Sequence, residues 1–196
     1  MSPEKLLDLI VLKANVISNN EYLKLLGEFK EVSTTLKMAL SIPDRLFKIK
    51  IEKFLKGLDL TTDERLGYSN VLSGNPNKLS KTGLMLFELI EKSDTEAKSE
   101  IIGRLFSDYV RKKYHQSIFI RYSQMIIAIY ADELKYFLHT SENNIEETSD
   151  QVEHLLSVGV YTRVYGEIGF GGSINPQKQP RLSASGKAIR KILSDF

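Results

Sequence analysis

The sequence predicts a mainly α protein: a multi-helix bundle over residues 1–140, followed by a small C-terminal α+β unit over residues 146–196. Three observations carry this. Apolar residues recur at three- and four-residue spacing along most of the chain, the period of a helix with one buried face. Helix-capping phrases, with few prolines and glycines, punctuate that pattern. Only after Val158 do aromatic and β-branched residues gather in a short run, Tyr161-Thr162-Arg163-Val164-Tyr165, which reads as a strand.

In chain order, Ser2-Pro3 pairs an N-cap residue with proline at the first helical position, and Leu6, Leu7, Ile10 and Ile17 follow at helical spacing. Ser18-Asn19-Asn20 breaks that helix. Leu23, Leu26, Phe29, Val32 and Leu36 mark a second, antiparallel to the first across a short connection. Ile42-Pro43 stops it, because the residue before proline avoids helical geometry. A basic helix runs from Pro43 to Lys56, with Phe47, Ile51, Phe54, Leu55 and Leu58 on one face and lysines around the rest; Gly57 fits a C-cap. Such a helix suits a solvated surface, with anionic lipid or nucleic acid as the alternative.

Thr61 and Glu64 form a capping box opening a short helix to Leu72. Leu84, Phe87 and Ile90 belong to the next helix. Ser93-Asp94 caps another, which carries Ala97, Ile101, Leu105 and Phe106. A long helix, richest in apolar residues, is expected over Gln116–Leu138. Its Arg121, Asp132, Glu133 and Lys135 argue against a membrane span. Beyond Thr148, Val152, Leu155 and Leu156 predict a helix of about three turns. Gly166, Gly169, Gly171, Gly172, Pro176 and Pro180 predict a loop or hairpin tip after the strand. Arg181-Leu182-Ser183 can return as a strand, and Ser183 or Ser185 caps a final helix with Ile189, Ile192 and Leu193.

Composition limits the chemistry. With 196 residues, 42% hydrophobic and 27% charged, the chain resembles ordinary globular proteins. A chain of this length buries roughly 70% of its unfolded surface, so it needs no disulfide or metal to hold it. Cysteine is absent, which excludes thiolate catalysis and cysteine-ligated metal, and suits the cytoplasm. The first residues, broken by Glu4, Asp8 and Lys13, do not read as a secretory signal. His115, His139 and His154 lie far apart, without a histidine at i+3 or i+4. Asp132-Glu133 are neighbours that point to different helix faces. The glycine-rich stretch at 166–173 lacks a Gly-Lys-Ser/Thr phrase and does not open a helix, so it is not a phosphate loop. The tyrosines at 109, 114, 122, 130 and 136 read as core or core-edge residues, with base stacking the lesser option. No catalytic residue, metal site or cofactor is expected.

Charge is uneven although the net formal charge is only +2. Residues 141–158 carry Glu142, Glu146, Glu147, Asp150 and Glu153 with no lysine or arginine, for a net −5. Residues 159–196 carry Arg163, Lys178, Arg181, Lys187, Arg190 and Lys191 against Glu167 and Asp195, for a net +4.

The C-terminal succession of helix, Leu156-Ser157-Val158-Gly159-Val160, strand, glycine-rich turn, Leu182-Ser183-Ala184-Ser185-Gly186 and helix resembles the end of a winged-helix domain. That resemblance implies an α+β winged-helix-like unit and, in many members, DNA binding. Three phrases of the middle segment resemble small helical proteins of bacteria and their phages: Pro43-x-x-Leu46-Phe47-x-x-Lys50-x-x-x-Phe54-Leu55-x-Gly57, Leu86-x-x-x-Ile90-Glu91-Lys92 and Phe119-x-Arg121. This second resemblance covers about half the chain and implies a setting in phage–host conflict or mobile elements, without a mechanism.

The expected function is therefore non-enzymatic binding of another protein, as an inhibitor or adaptor. The expected surface is Glu146, Glu147, Asp150 and Glu153 with the wing residues Tyr165, Ile168 and Phe170. The alternative is a DNA-binding transcriptional regulator that places Arg163, Lys178, Arg181, Lys187, Arg190 and Lys191 on phosphates. Homo-oligomerisation is left open.

Overall fold

The computed structural model describes residues 44–73, 75–145, 149–164 and 179–194. The two helices expected before residue 42, and the glycine-rich stretch at 166–173, lie outside the described residues. Eight α-helices and one two-stranded antiparallel sheet make up the described part: α1 (Asp44–Gly57), α2 (Thr62–Ser73), α3 (Pro76–Lys92), α4 (Glu96–Val110), α5 (Gln116–Ala128), α6 (Ala131–His139), a short 3-10 turn (Glu142–Asn144), α7 (Asp150–Val158), β1 (Tyr161–Val164), β2 (Gln179–Leu182) and α8 (Ala184–Ile192). The protein is thus mainly helical, with a small sheet near its C-terminus. No described helix is long and apolar enough to cross a membrane.

The chain divides into two compact units, Met1–Phe119 and Ile120–Phe196. In the first, α1 buries Phe47, Ile51 and Phe54, and Leu58 just beyond its end is buried with them, while Leu55 of the predicted face is only half-buried; α1 packs most extensively on α4. The two backbones touch: a Cβ on Gly57 would lie 2.0 Å from the Glu100 carbonyl oxygen, and one on Gly103 would lie 2.2 Å from that of Phe54. Gly57 therefore serves close packing more than the capping role expected of it. Around this crossing, Phe106 meets Phe54 at 6.0 Å, Tyr68 at 5.7 Å and Phe119 at 5.6 Å between ring centroids. Three lysines of α1 point back to the protein: Lys50 Nζ donates to the Glu91 carbonyl at 2.9 Å, Lys53 pairs with Glu96 at 3.1 Å, and Lys56 pairs with Glu100 at 3.2 Å. Burial lowers the Lys50 pKa and raises that of Glu91, each partly offset by the charge of the other.

Helix starts follow local chemistry. The Thr61–Glu64 capping box is present in both directions, Glu64 N–H to Thr61 Oγ1 at 3.2 Å and Thr61 N–H to Glu64 Oε2 at 2.8 Å. The cap of α4 is Thr95, which accepts from the Lys98 N–H, and not Ser93-Asp94. Ser93 is instead buried, its hydroxyl 2.6 Å from both the Ile90 carbonyl and the Ser99 hydroxyl. That partnership satisfies a polar side chain inside the unit and so removes it from the cap.

The single helix expected over Gln116–Leu138 is two helices, α5 and α6, separated at Ile129-Tyr130. Tyr130 is extended (φ −67°, ψ 155°), and its N–H donates to Glu133 Oε2 at 3.2 Å. Asp132 and Glu133 in the first turn of α6 complement the helix dipole. A glutamate three residues after a break is a start signal that the strong apolar pattern around it conceals.

In the second unit, Leu134 and Phe137 of α6, Val152 and Leu155 of α7, Val160, Tyr161, and Ile189 and Leu193 at α8 form the core. The Phe137 and Tyr161 rings are 6.2 Å apart. β1 pairs with β2 from Tyr161 opposite Leu182 to Val164 opposite Gln179.

Candidate functional site

The candidate surface is built on α7 and the base of the hairpin. Ser149 caps α7 by accepting from the Val152 N–H at 3.2 Å, and Asp150 and Glu153 occupy its first turn. Val152 and Leu155 turn inward, leaving Asp150, Glu153 and Ser157 exposed. Gly159 ends the helix in the left-handed region (φ 87°), where glycine carries no steric penalty, and redirects the chain into β1.

The Leu182-Ser183-Ala184-Ser185-Gly186 phrase has a physical role here. Ser183 Oγ accepts from the Gly186 N–H at 2.9 Å, capping α8, and donates to the Gly159 carbonyl at 2.7 Å. The Ser183 N–H donates to the Val160 carbonyl at 3.0 Å. A Cβ on Gly186 would sit 2.1 Å from that same oxygen. Serine and glycine thus clamp the start of α8 onto the end of α7.

The predicted cations separate into two groups. Arg163 pairs with Glu153, and Lys187 pairs with Glu142 at 3.4 Å. Arg190 lies with its guanidinium 5.3 Å from the centroid of the Phe137 ring and donates to the Tyr161 hydroxyl at 3.4 Å; its Nε is buried. Burial raises the Tyr161 phenol, and the Arg190 charge opposes that rise. Arg181 and Lys191 are exposed. Of the predicted protein-binding residues, Asp150 and Glu153 stand exposed on α7, whereas Glu146, Glu147, Tyr165, Ile168 and Phe170 lie outside the described residues, as does Lys178.

Sequence reasoning missed a cluster at the junction of α6 and α7. Glu133, 5% exposed, caps α6 and also reaches His154, with Oε2 2.5 Å from Nδ1. The Tyr130 ring, 60% exposed, stacks on the His154 ring at 4.4 Å and 17°. The signal that could have found it is Tyr130-Ala131-Asp132-Glu133, read as a helix start. A Glu–His pair is one part of a general-base arrangement. Here the nearest serine on the same face of α7, Ser157, donates to the His154 carbonyl at 2.7 Å and not to the ring. Among the described residues, no three His, Cys, Asp or Glu side chains are grouped to hold a metal ion. The arrangement offers an ordered, exposed aromatic ring beside carboxylates, a combination suited to recognition.

Comparison with protein-family models, with curated proteins and with solved structures returns no match.

Proposed function

We propose that this chain is a non-enzymatic protein-interaction factor, an inhibitor or adaptor acting in the cytoplasm, in the phage–host conflict or mobile-element setting that its middle segment suggests. The reading takes α7, β1, β2 and α8 as a winged-helix-like unit, with β1 and β2 as the base of its wing and α7 as the element that winged-helix proteins lay in the DNA major groove. One observation carries it. The outer face of α7 presents Asp150 and Glu153 without a single lysine or arginine; Arg163 of the wing and Glu153 offset each other as an ion pair, which leaves the exposed carboxylate of Asp150 to set the sign of the helix face. Such a helix is repelled by phosphate and attracts a basic protein surface. Tyr130, stacked and exposed beside it, supplies an aromatic anchor.

The DNA-binding alternative retains exposed Arg181 and Lys191. A gel-shift salt titration with the full chain separates the two. The protein-interaction reading expects no shift of duplex DNA even at low salt. A shift that weakens steeply with salt and is lost in Arg181→Ala/Lys191→Ala would replace it with the regulator. In pull-downs from host lysate, Asp150→Arg and Tyr130→Ala are expected to lose the partner that the native chain recovers. Retention of every partner by both variants would exclude this surface.

A further inference from the structure

The first unit contains an open cleft of about 630 Å³ between α2 and the turn that joins α4 to α5. Small-molecule sites commonly occupy about 300–1,000 Å³. Tyr68 and Val71 of α2, Tyr109 at the end of α4, and Lys112, Tyr114 and His115 of the turn line it. The rings are held in place. Tyr109 stacks on Phe119 at 5.5 Å and 19°, and Tyr68 meets Tyr109 edge-on at 6.0 Å. The Tyr114 hydroxyl donates to the Leu105 carbonyl. Val71 stays 51% exposed, an apolar side chain left open on the wall.

The charge of the cleft is one-sided. Glu64 also borders it, but the Arg111 guanidinium forks onto that carboxylate, Nε to Oε1 at 2.8 Å and Nη2 to Oε2 at 3.3 Å. The neighbouring Lys113 is likewise committed, to Asp108 at 2.7 Å. Lys112 and His115 remain as exposed nitrogen-bearing side chains at the mouth. Lys112 adopts φ 58°, a left-handed backbone that non-glycine residues seldom take; its N–H donates to the Tyr109 carbonyl at 2.9 Å.

We infer that this cleft binds a small ligand in which a planar ring carries an anionic group, a phosphate or a carboxylate, of about mononucleotide size. The ring packs among the tyrosines and Val71, and the anion meets Lys112 and His115. Aromatic walls select the flat moiety, and the neutralised Glu64 leaves a positive mouth for the charge. This site is independent of the α7 surface and of the protein-interaction reading.

Isothermal titration of the full chain at low salt tests it with four probes: AMP, indole-3-acetate, adenosine and inorganic phosphate. AMP, indole-3-acetate or both are expected to bind saturably, roughly tenfold or more tighter than adenosine or phosphate alone. Which of the two binds better distinguishes a nucleotide from an aromatic carboxylate. Lys112→Gly suits the left-handed backbone and removes the cation; it is expected to weaken the anionic probe roughly tenfold. Val71→Glu, at an exposed position, is expected to abolish binding while the circular-dichroism melt stays unchanged. The proposal is overturned if neither ring-bearing anion binds below about 1 mM, if phosphate or adenosine alone binds as well, or if both folded variants keep native affinity.

Discussion

At the scale of single residues, the ion pairs that matter are those that join distant parts of a unit. Arg111 closes α4 and holds three groups from the α1–α2 region: the Glu64 carboxylate, the Asp59 carboxylate at 3.2 Å and the Asp59 carbonyl. The Arg111 side-chain hydrogen bond is the largest cause that holds Glu64 down at about 2, below its ordinary 4.5. A carboxylate depressed in the folded state contributes stability above its unfolded pKa and loses it as pH falls towards the folded value. Glu64 keeps 32% of its side chain exposed, so solvent screening limits the contribution to about 1 kcal/mol. Glu64→Gln is therefore expected to cost about 1 kcal/mol at pH 7. In urea titrations at several pH values, its difference from the native chain should shrink between pH 4.5 and about 2. A difference constant across that window would show that the pair does not act in this way. The Thr61–Glu64 cap was legible in the sequence, because its partners lie three positions apart. The Arg111 fork was not, because its partners lie 47 and 52 positions away. The buried Ser93–Ser99 pair was hidden for a different reason: serine before an acidic residue reads as a cap, and only tertiary packing reveals it as interior.

At the scale of elements, two contacts decide the geometry, and both depend on very small or doubly used residues. Gly103→Ala places a methyl 2.2 Å from the Phe54 carbonyl oxygen, so α1 and α4 must separate. A loss of about 2–3 kcal/mol is expected, read as a lower urea midpoint. A neutral outcome would mean that the helices can move apart freely. Ser183→Ala removes both the α8 cap and the bond to the Gly159 carbonyl, with an expected loss of about 1–2 kcal/mol. An unchanged midpoint would leave Gly186 alone to secure the joint. Helix identity was largely readable from apolar spacing, and the cap of the last helix was narrowed to Ser183 or Ser185, of which Ser183 is the one used. The division of the expected long helix was not read, since Ile126, Ile127 and Ile129 sustain an apolar pattern through the break. There a capping interaction of Glu133 overrides periodicity, and the same carboxylate recruits His154 from α7.

At the scale of the whole molecule, charge asymmetry is visible in the sequence, but its internal accounting is not. Residues 159–196 appear basic, yet Arg163, Lys187 and Arg190 are turned to Glu153, Glu142 and the Phe137–Tyr161 rings. The same holds for α1, where Lys50, Lys53 and Lys56 reach α3 and α4. Sequence counts of lysine and arginine therefore overstate the cationic surface offered to nucleic acid, which is why the gel-shift expectation is negative at low salt. The tyrosine-lined cleft was equally out of reach, because helical spacing marks rings as interior without showing the space they leave between them. The contact of α1 with α4 reaches beyond this one chain. Any homologue that retains that crossing must forgo a side chain at the counterparts of Gly57 and Gly103, however far its other residues have drifted. Two paired vacancies in an alignment would thus serve as a fingerprint for kinship that overall identity no longer reveals.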